Sequence, residues 1–140
     1  MNEPLYTLDI LRLAASLPEH RPLARVDGSA STRSPTCGST VRIDVQVDGE
    51  GRIEDLSQQV QACAFGQASA ALVARQAAGH NAEQVRQALV DLESWLSGNY
   101  SEPPAWAGFE ALAPARSRKS RHGAILLPLR ALAAALESAV

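Results

Sequence analysis

Residues 41–62, VRIDVQVDGEGRIEDLSQQVQA, decide the fold of this chain. Between positions 41 and 47, valine and isoleucine alternate with polar residues, which is typical of a strand with one buried and one wet face. The run Asp48-Gly49-Glu50-Gly51 is rich in residues that suit a tight turn. Residues 52–62 then resume a β-compatible spacing. We therefore predict an antiparallel hairpin.

The sequence after residue 63 favours helices. Residues 64–79 are rich in Ala and Gln and end at Gly79, and Asn81 is a suitable N-cap for a second helix. A final helix is expected to carry Pro128 in its first turn, where proline is tolerated. The apolar positions that recur at helical spacing, which we predict to be core, are Val85, Leu89, Leu92, Leu96, Ile125, Leu129, Leu132 and Leu136.

The N-terminal part adds one more helix and an extended segment. Residues 5–17 predict a short helix with Leu8, Leu11 and Ala15 on one stripe, whereas residues 22–35 are rich in Gly, Ser, Thr and Arg and suit an extended or weakly strand-like segment. The order of elements predicts an α+β fold, with a small antiparallel sheet and helices packed on one side of it.

Length, composition and net charge indicate which classes of protein this chain can belong to. The 140 residues suit one domain, residues 1–140, and 46% hydrophobic residues can build a single core. A net charge of −2 gives no general reason to bind nucleic acid or a membrane surface. No apolar run approaches the roughly 18 to 20 residues that cross a bilayer, and acids stand where a signal peptide carries Lys or Arg. We expect a cytoplasmic protein.

The chain has two cysteines, Cys37 and Cys63. Count alone favours buried apolar side chains, but their positions do not. Cys37 lies in a turn just before the first hairpin strand, and Gly38 leaves room beside its sulfur. Cys63 stands where the second strand meets a helix, and the free N–H groups of a helix N-terminus favour a thiolate. Hairpin pairing brings both to one end of the sheet, where they could share a site.

Several segments together resemble the U-type iron–sulfur cluster assembly scaffolds, the group of the NifU N-terminal domain, IscU and SufU. The segments are Pro35-Thr36-Cys37-Gly38, residues 59–64, residues 67–70, the helix at 83–96 and the final segment that contains His122. They occur in the family's order and cover nearly the whole chain. The resemblance implies the same α+β fold and a site built from three cysteines and an aspartate.

This sequence departs from that ligand set. Cys37 and Cys63 match the family's first two cysteines, but Ser39 stands in place of the aspartate. Gly123 or Ala124 occupies the position of the third cysteine. The resemblance therefore implies a site that has two thiols and lacks the third.

His122 is the residue that the resemblance offers as a replacement ligand, because some family members carry a histidine just before the third cysteine. Its imidazole nitrogen suits iron or zinc. The alternative is that His122 only caps or solvates the start of the last helix. His20 and His80 are expected to be loop residues without partners.

The ligand count allows three arrangements, because clusters and structural zinc usually take about four ligands. A homodimer would supply Cys37 and Cys63 twice. A single chain could bind weakly, with water, a small thiol or a partner residue completing the site. The site could also have lost metal binding. The cofactor implied by the resemblance is a transient iron–sulfur cluster, of the 2Fe-2S type, with zinc as an alternative.

The resemblance implies a non-enzymatic scaffold or carrier whose partners are a cysteine desulfurase and acceptor apo-proteins. One alternative is a sulfur-transfer accessory to the desulfurase that holds no cluster. Another is a metal-free interaction module that regulates assembly. The basic run Arg116, Arg118, Lys119 and Arg121 suits either an acidic partner or a solvated linker.

Overall fold

The computed structural model describes residues 6–35 and 38–139. Its three strands form one antiparallel sheet in the order β1-β2-β3. The α+β architecture predicted from the sequence is confirmed. The elements are α1 (Leu8–Ala15), β1 (Gly28–Arg33), β2 (Thr40–Val47), β3 (Ile53–Gln61), α2 (Ala64–Gln76), α3 (Ala82–Leu96), a 3-10 helix (Phe109–Ser117) and α4 (Lys119–Ser138).

The predicted hairpin is the pair β2–β3. Thr40 pairs with Gln61 at one end, and the register continues to Gln46 and Asp55 before an irregularity next to Val47. Because side chains alternate along a strand, one face of β2 is buried and the other is polar. The buried face consists of Val41, Ile43 and Val45.

The segment expected to be weakly strand-like contains β1, a full third strand that pairs along β2 from Gly28 to Arg33. It runs very close to α4. A Cβ atom added to Gly28 would collide with the carbonyl oxygen of Ala135 and lie 2.8 Å from the Ser138 hydroxyl oxygen. Glycine at this position lets the strand pack directly against the helix backbone.

The helices cover one face of the sheet. Helix α4 packs against β1 and β2, α2 packs against β3, α3 lies on α4 and α1 lies on α2. The Ser69 hydroxyl donates to the carbonyl oxygen of Ile125 at 2.6 Å and joins α2 to α4. Within the described ranges, no helix is long and apolar enough to span a bilayer.

One detail of the predicted helices is wrong, the place of Pro128, and the predicted stripe of α1 is not its buried side. Leu8 and Leu11 are 60% and 48% exposed, whereas Ile10 is fully buried, because α1 meets α2 through the opposite side of its two turns. Pro128 is not in the first turn of the last helix, since α4 already begins at Lys119 within the basic run. A proline inside a helix removes the N–H that would bond to the carbonyl four residues earlier, here Ala124.

Residues 17–27 cross the polar face of the sheet and are tied to it. The backbone N–H of Arg21 donates to the Ser57 hydroxyl at 2.9 Å. Further along, Asp27 accepts from the Arg25 guanidinium at 2.9 Å and from the Val47 N–H at 2.8 Å. The Arg25 guanidinium, followed by the Val47 N–H, holds the pKa of Asp27 below its ordinary value.

Substituting Gly28 by Ala should destabilise the fold by about 1–3 kcal/mol, because the added methyl group forces β1 away from α4. Urea unfolding at constant pH measures the difference. Gly49→Ala is the matched control, since nothing lies within 4 Å of a Cβ at that position. Equal stability of the two variants would show that the close approach is not tight.

Stability should fall as the pH drops below the ordinary carboxyl range, because the pKa of Asp27 is lower in the folded chain than in the unfolded chain. The carboxylate of Asp27 then binds a proton more readily in the unfolded chain. Its contribution to the free energy of unfolding is therefore present above the pKa of the unfolded state and is lost as the pH falls through the pKa of the folded state. Asp27→Asn should make this acid limb shallower, with Asp48 and Asp55, whose pKa values are also lowered by their hydrogen bonds, retaining the rest, as measured by urea midpoints from pH 7 down to 3. Glu102→Gln, at an exposed carboxylate that makes no ion pair with any described residue, should leave it unchanged.

Candidate ligand site at one end of the sheet

Cys63 is the N-cap residue of α2 and follows β3 after one intervening residue. Its backbone is extended, and its carbonyl oxygen accepts from the Gln67 N–H at 2.9 Å, closing the first turn of the helix. The thiol makes no capping hydrogen bond, and the residue is half-buried at the margin of the core. The sulfur is therefore held by rigid elements on both sides.

The junction around Cys63 is fixed by α2 itself. The Gln67 side chain donates to the carbonyl oxygen of Ala62 at 3.1 Å, so the helix holds the last residue before the cysteine. One turn into α2, a Cβ on Gly66 would lie only 2.6 Å from the Cβ of Ala62. Only a residue without a side chain fits under this turn.

Helix α4 reaches the same place. The carbonyl oxygen of Ala124 would lie 3.3 Å from a Cβ on Gly66, and the Ala124 Cβ 3.4 Å from it. Ala124 is buried, and Pro128 leaves its carbonyl without the usual helical donor. One of the two positions predicted for the missing third cysteine therefore packs against the helix turn that begins at Cys63.

His122 lies in the first turn of α4 and is half-buried. Its Nε2 atom is 2.8 Å from the carbonyl oxygen of Ala115 and 3.1 Å from that of Arg116. Carbonyl oxygens only accept, so Nε2 carries the proton, and in the neutral ring Nδ1 keeps the lone pair. The two backbone contacts thus leave Nδ1 as the nitrogen that can bind a metal.

Cys37 lies outside the described residues, but its flanks are placed. The N–H of Ser34 donates to the carbonyl oxygen of Ser39 at 2.9 Å, and the N–H of Gly38 donates to that of Ser34 at 3.2 Å. These flanks close the β1–β2 connection beyond the row Arg33–Thr40–Gln61. That row ends the sheet on the side from which β3 continues to Cys63. Ser39, which replaces the family's aspartate, is buried.

The structure thus places the α2 cap with Cys63 and the start of α4 at one end of the sheet. No group of three or more His, Cys, Asp or Glu side chains that could hold a metal occurs within residues 6–35 and 38–139. Sequence reasoning missed the contact of Gly66 with Ala124 and the carbonyls that orient His122. The small residues of the Ala-rich stretch 64–79 are the sequence signal for close helix packing.

The structure also places the other two histidines and the basic run, and it contradicts the expectation that His80 has no partner. His80 does have a partner, because its ring stacks on Trp106 with centroids 4.4 Å apart, and His20 lies 3.9 Å from the Asp44 carboxylate. Arg116 is structural, since its Nε donates to the carbonyl oxygen of Trp95 at 2.9 Å. Arg118 and Lys119 are exposed.

Comparisons with known proteins agree with this architecture. A family model described as the NifU-like N terminal domain matches residues 12–107. The chain is similar to the solved structure of a nitrogen-fixing NifU-like protein (N-terminal) from Brucella abortus, at 32% identity with a TM-score of 0.88. That match covers 96% of this chain and 93% of the other. A comparison with curated proteins finds no match.

A second similar structure is a Fervidobacterium islandicum AW-1 protein described as an iron–sulfur cluster assembly scaffold for the SUF system. The identity is 21%, the TM-score is 0.81, and the match covers 94% of this chain and 96% of that one. At this sequence identity the similarity shows a shared fold and nothing more. From the family match and the Brucella structure, the chain belongs to the NifU-like N-terminal domain family.

Replacing His122 by Ala should lower the free energy of unfolding by about 1 kcal/mol, because the carbonyl oxygen of Arg116 loses its imidazole donor while that of Ala115 keeps the Arg118 N–H. His122→Gln should retain most of the stability, since its amide N–H can reach the same oxygens while the lone-pair nitrogen is lost. Thermal and urea unfolding measure both variants. A stable Ala variant would mean that the ring does not hold the segment before α4.

Proposed function

We propose that this chain is a non-enzymatic scaffold on which iron and sulfur are assembled as cargo and then passed to an acceptor protein. The observation that carries the proposal is the position of Cys63, a half-buried thiol at a strand-to-helix junction, next to the start of α4. Soft thiolates are the preferred ligands of iron–sulfur clusters. Membership in the NifU-like family supports the same function.

The ligands in this proposal are Cys63, Cys37 and the Nδ1 atom of His122. Three donors leave at least one of about four positions open, so a single chain would hold its cargo weakly. Weak holding suits a carrier, because the cargo must leave again. A homodimer would instead offer four thiolates to one 2Fe-2S cluster. Zinc is the alternative occupant of the same donors.

Sulfur would come from a cysteine desulfurase. A thiolate of the scaffold attacks the outer sulfur of the desulfurase persulfide, so a new S–S bond forms, the old one breaks, and the desulfurase thiolate leaves. The transfer itself changes no oxidation state. Conversion of the transferred sulfur to cluster sulfide takes two electrons, which ferrous iron and an excess of a free thiol such as cysteine supply. Exposed Arg118 and Lys119 on α4 offer positive charge to an acidic partner surface. A reducing compartment such as the cytoplasm keeps both thiols available.

Anaerobic incubation with ferrous iron, cysteine and a desulfurase should produce visible charge-transfer absorption that depends on both cysteines. Cys63→Ser should lose most of it, although a serine hydroxyl can cap α2 and keep the fold. Cys37→Ala should lose it as well, and His122→Gln should weaken it. Iron and sulfide analysis then counts the cargo, with about half a cluster per chain expected for a bridged dimer.

The pattern of losses separates the functions. If no variant or concentration of the protein develops absorption, the scaffold function is excluded. If desulfurase turnover is stimulated through a single cysteine with no absorption, the protein is a sulfur-transfer accessory. Ser120→Ala, at an exposed position of α4, is the control that should behave as the unsubstituted protein.

A further inference from the structure

An open groove lies on the polar face of the sheet, opposite the helices. We call it the outer groove. One wall is the segment 17–20, and the floor consists of residues 31–33 of β1, 40–42 of β2 and 58–61 of β3. Its volume is about 780 Å³, which falls in the range of small-molecule sites. The hairpin pattern of the sequence leaves this face polar but does not predict a cavity there.

The floor of the outer groove carries two guanidinium groups. Arg33 of β1 and Arg42 of β2 are diagonal neighbours, because Arg33 pairs with Thr40 and Ser31 pairs with Arg42. Arg33 makes no ion pair within the described part of the chain, and Arg42 has only a 3.3 Å contact with Asp44. Like charges so placed repel each other, and an anion bound between them would remove this cost.

The rest of the lining suits a small peptide-like molecule. Gln59 and Gln61 offer amide donors and acceptors beside the arginines, and Thr40 adds a hydroxyl. His20 stands on the wall with Glu19, the one carboxylate among the described residues that line the groove. A ligand with two carboxylates and amide groups would therefore find a partner for each polar group.

The outer groove ends at the row of the sheet that precedes the cysteine of α2. Its last row is Arg33–Thr40–Gln61, and Cys63 follows Gln61 by two residues, or about 7 Å of extended chain. From Arg33 to Gln61 the row spans two strand spacings, about 10 Å. A tripeptide is about 10 Å long when extended. Held by one carboxylate at Arg33 and extended along this row, the peptide would carry its central thiol to about the position of Thr40, at the end of the sheet from which β3 continues to Cys63.

We propose that the outer groove binds a short, carboxylate-bearing thiol peptide whose sulfur supplies the ligand that this chain lacks at position 123 or 124. The inference rests on the proposed scaffold function for the role of the sulfur, but not for the binding of the peptide. On ligation the thiol loses its proton to solvent as sulfur donates an electron pair to iron. Nothing is oxidised or reduced.

Binding is tested first, on the metal-free protein, by calorimetry with reduced glutathione and with S-methylglutathione. Both should bind, because both carry the carboxylates. The double variant Arg33→Ala/Arg42→Ala should bind both about tenfold or more weakly, since two charge-assisted contacts are lost. Arg86→Ala, at an exposed arginine of α3 outside the groove, should bind normally. Absence of binding, or equal binding by the double variant, overturns the proposal.

Cargo loading is tested next under anaerobic conditions with ferric iron and inorganic sulfide in place of cysteine and desulfurase, so that no oxidant or reductant is needed and glutathione is the only small thiol. Glutathione should raise the visible absorption and the iron retained after gel filtration, whereas S-methylglutathione should not. The double arginine variant should lose this gain and keep the basal loading.

Equal loading with both peptides overturns ligation by the peptide thiol. Loading that depends on Cys63 but not on glutathione supports the scaffold function and rejects the groove's role. Peptide binding without any loading rejects the scaffold function while the binding site stands.

Discussion

The pairing register of β2 with its two neighbours is the constraint on which the rest of the structure depends. The register buries Val41, Ile43 and Val45 under the helices, and a slip by one residue would turn them to solvent. The same register aligns Arg33, Thr40 and Gln61 as the last row of the sheet. At that row β3 ends, two residues before Cys63, and the outer groove ends as well. Core and candidate site are thus set by one hydrogen-bonded ladder.

Helix α4 contributes both to the packing of the core and to the candidate ligand site. It lies on the sheet where Gly28 has no side chain, and it meets α2 where Gly66 has none. Close packing of this kind is stabilising because backbones and small side chains fill the space without voids. It also brings Ala124, two residues after His122, to the turn that begins at Cys63. A change that loosens the packing of α4 should therefore disturb the donors as well as the core.

The donors proposed for the cargo are fewer than the resemblance implies. Ser39 stands where the resemblance implies an aspartate, Gly123 or Ala124 where it implies a third cysteine, and Ser39 and Ala124 are buried. His122 is already held by two carbonyl groups through Nε2, so it can offer one nitrogen only. In the proposed scaffold, an open coordination position would favour release of cargo and would also admit an external thiol. The last row of the outer groove, Arg33–Thr40–Gln61, is the row from which β3 continues to Cys63.

The sequence by itself determined the hairpin, the helix caps at Cys63 and Asn81, and the class of fold, because alternation, turn residues and caps act over a few neighbouring residues. Only the tertiary structure decided which side of α1 is buried, since a helix of two turns offers several apolar faces and its contact with α2 selects Ile10. The contact of Gly66 with Ala124 and the outer groove likewise depend on segments far apart in the chain. Local sequence patterns carry no information about such tertiary contacts, because these form only when the helices pack on the sheet.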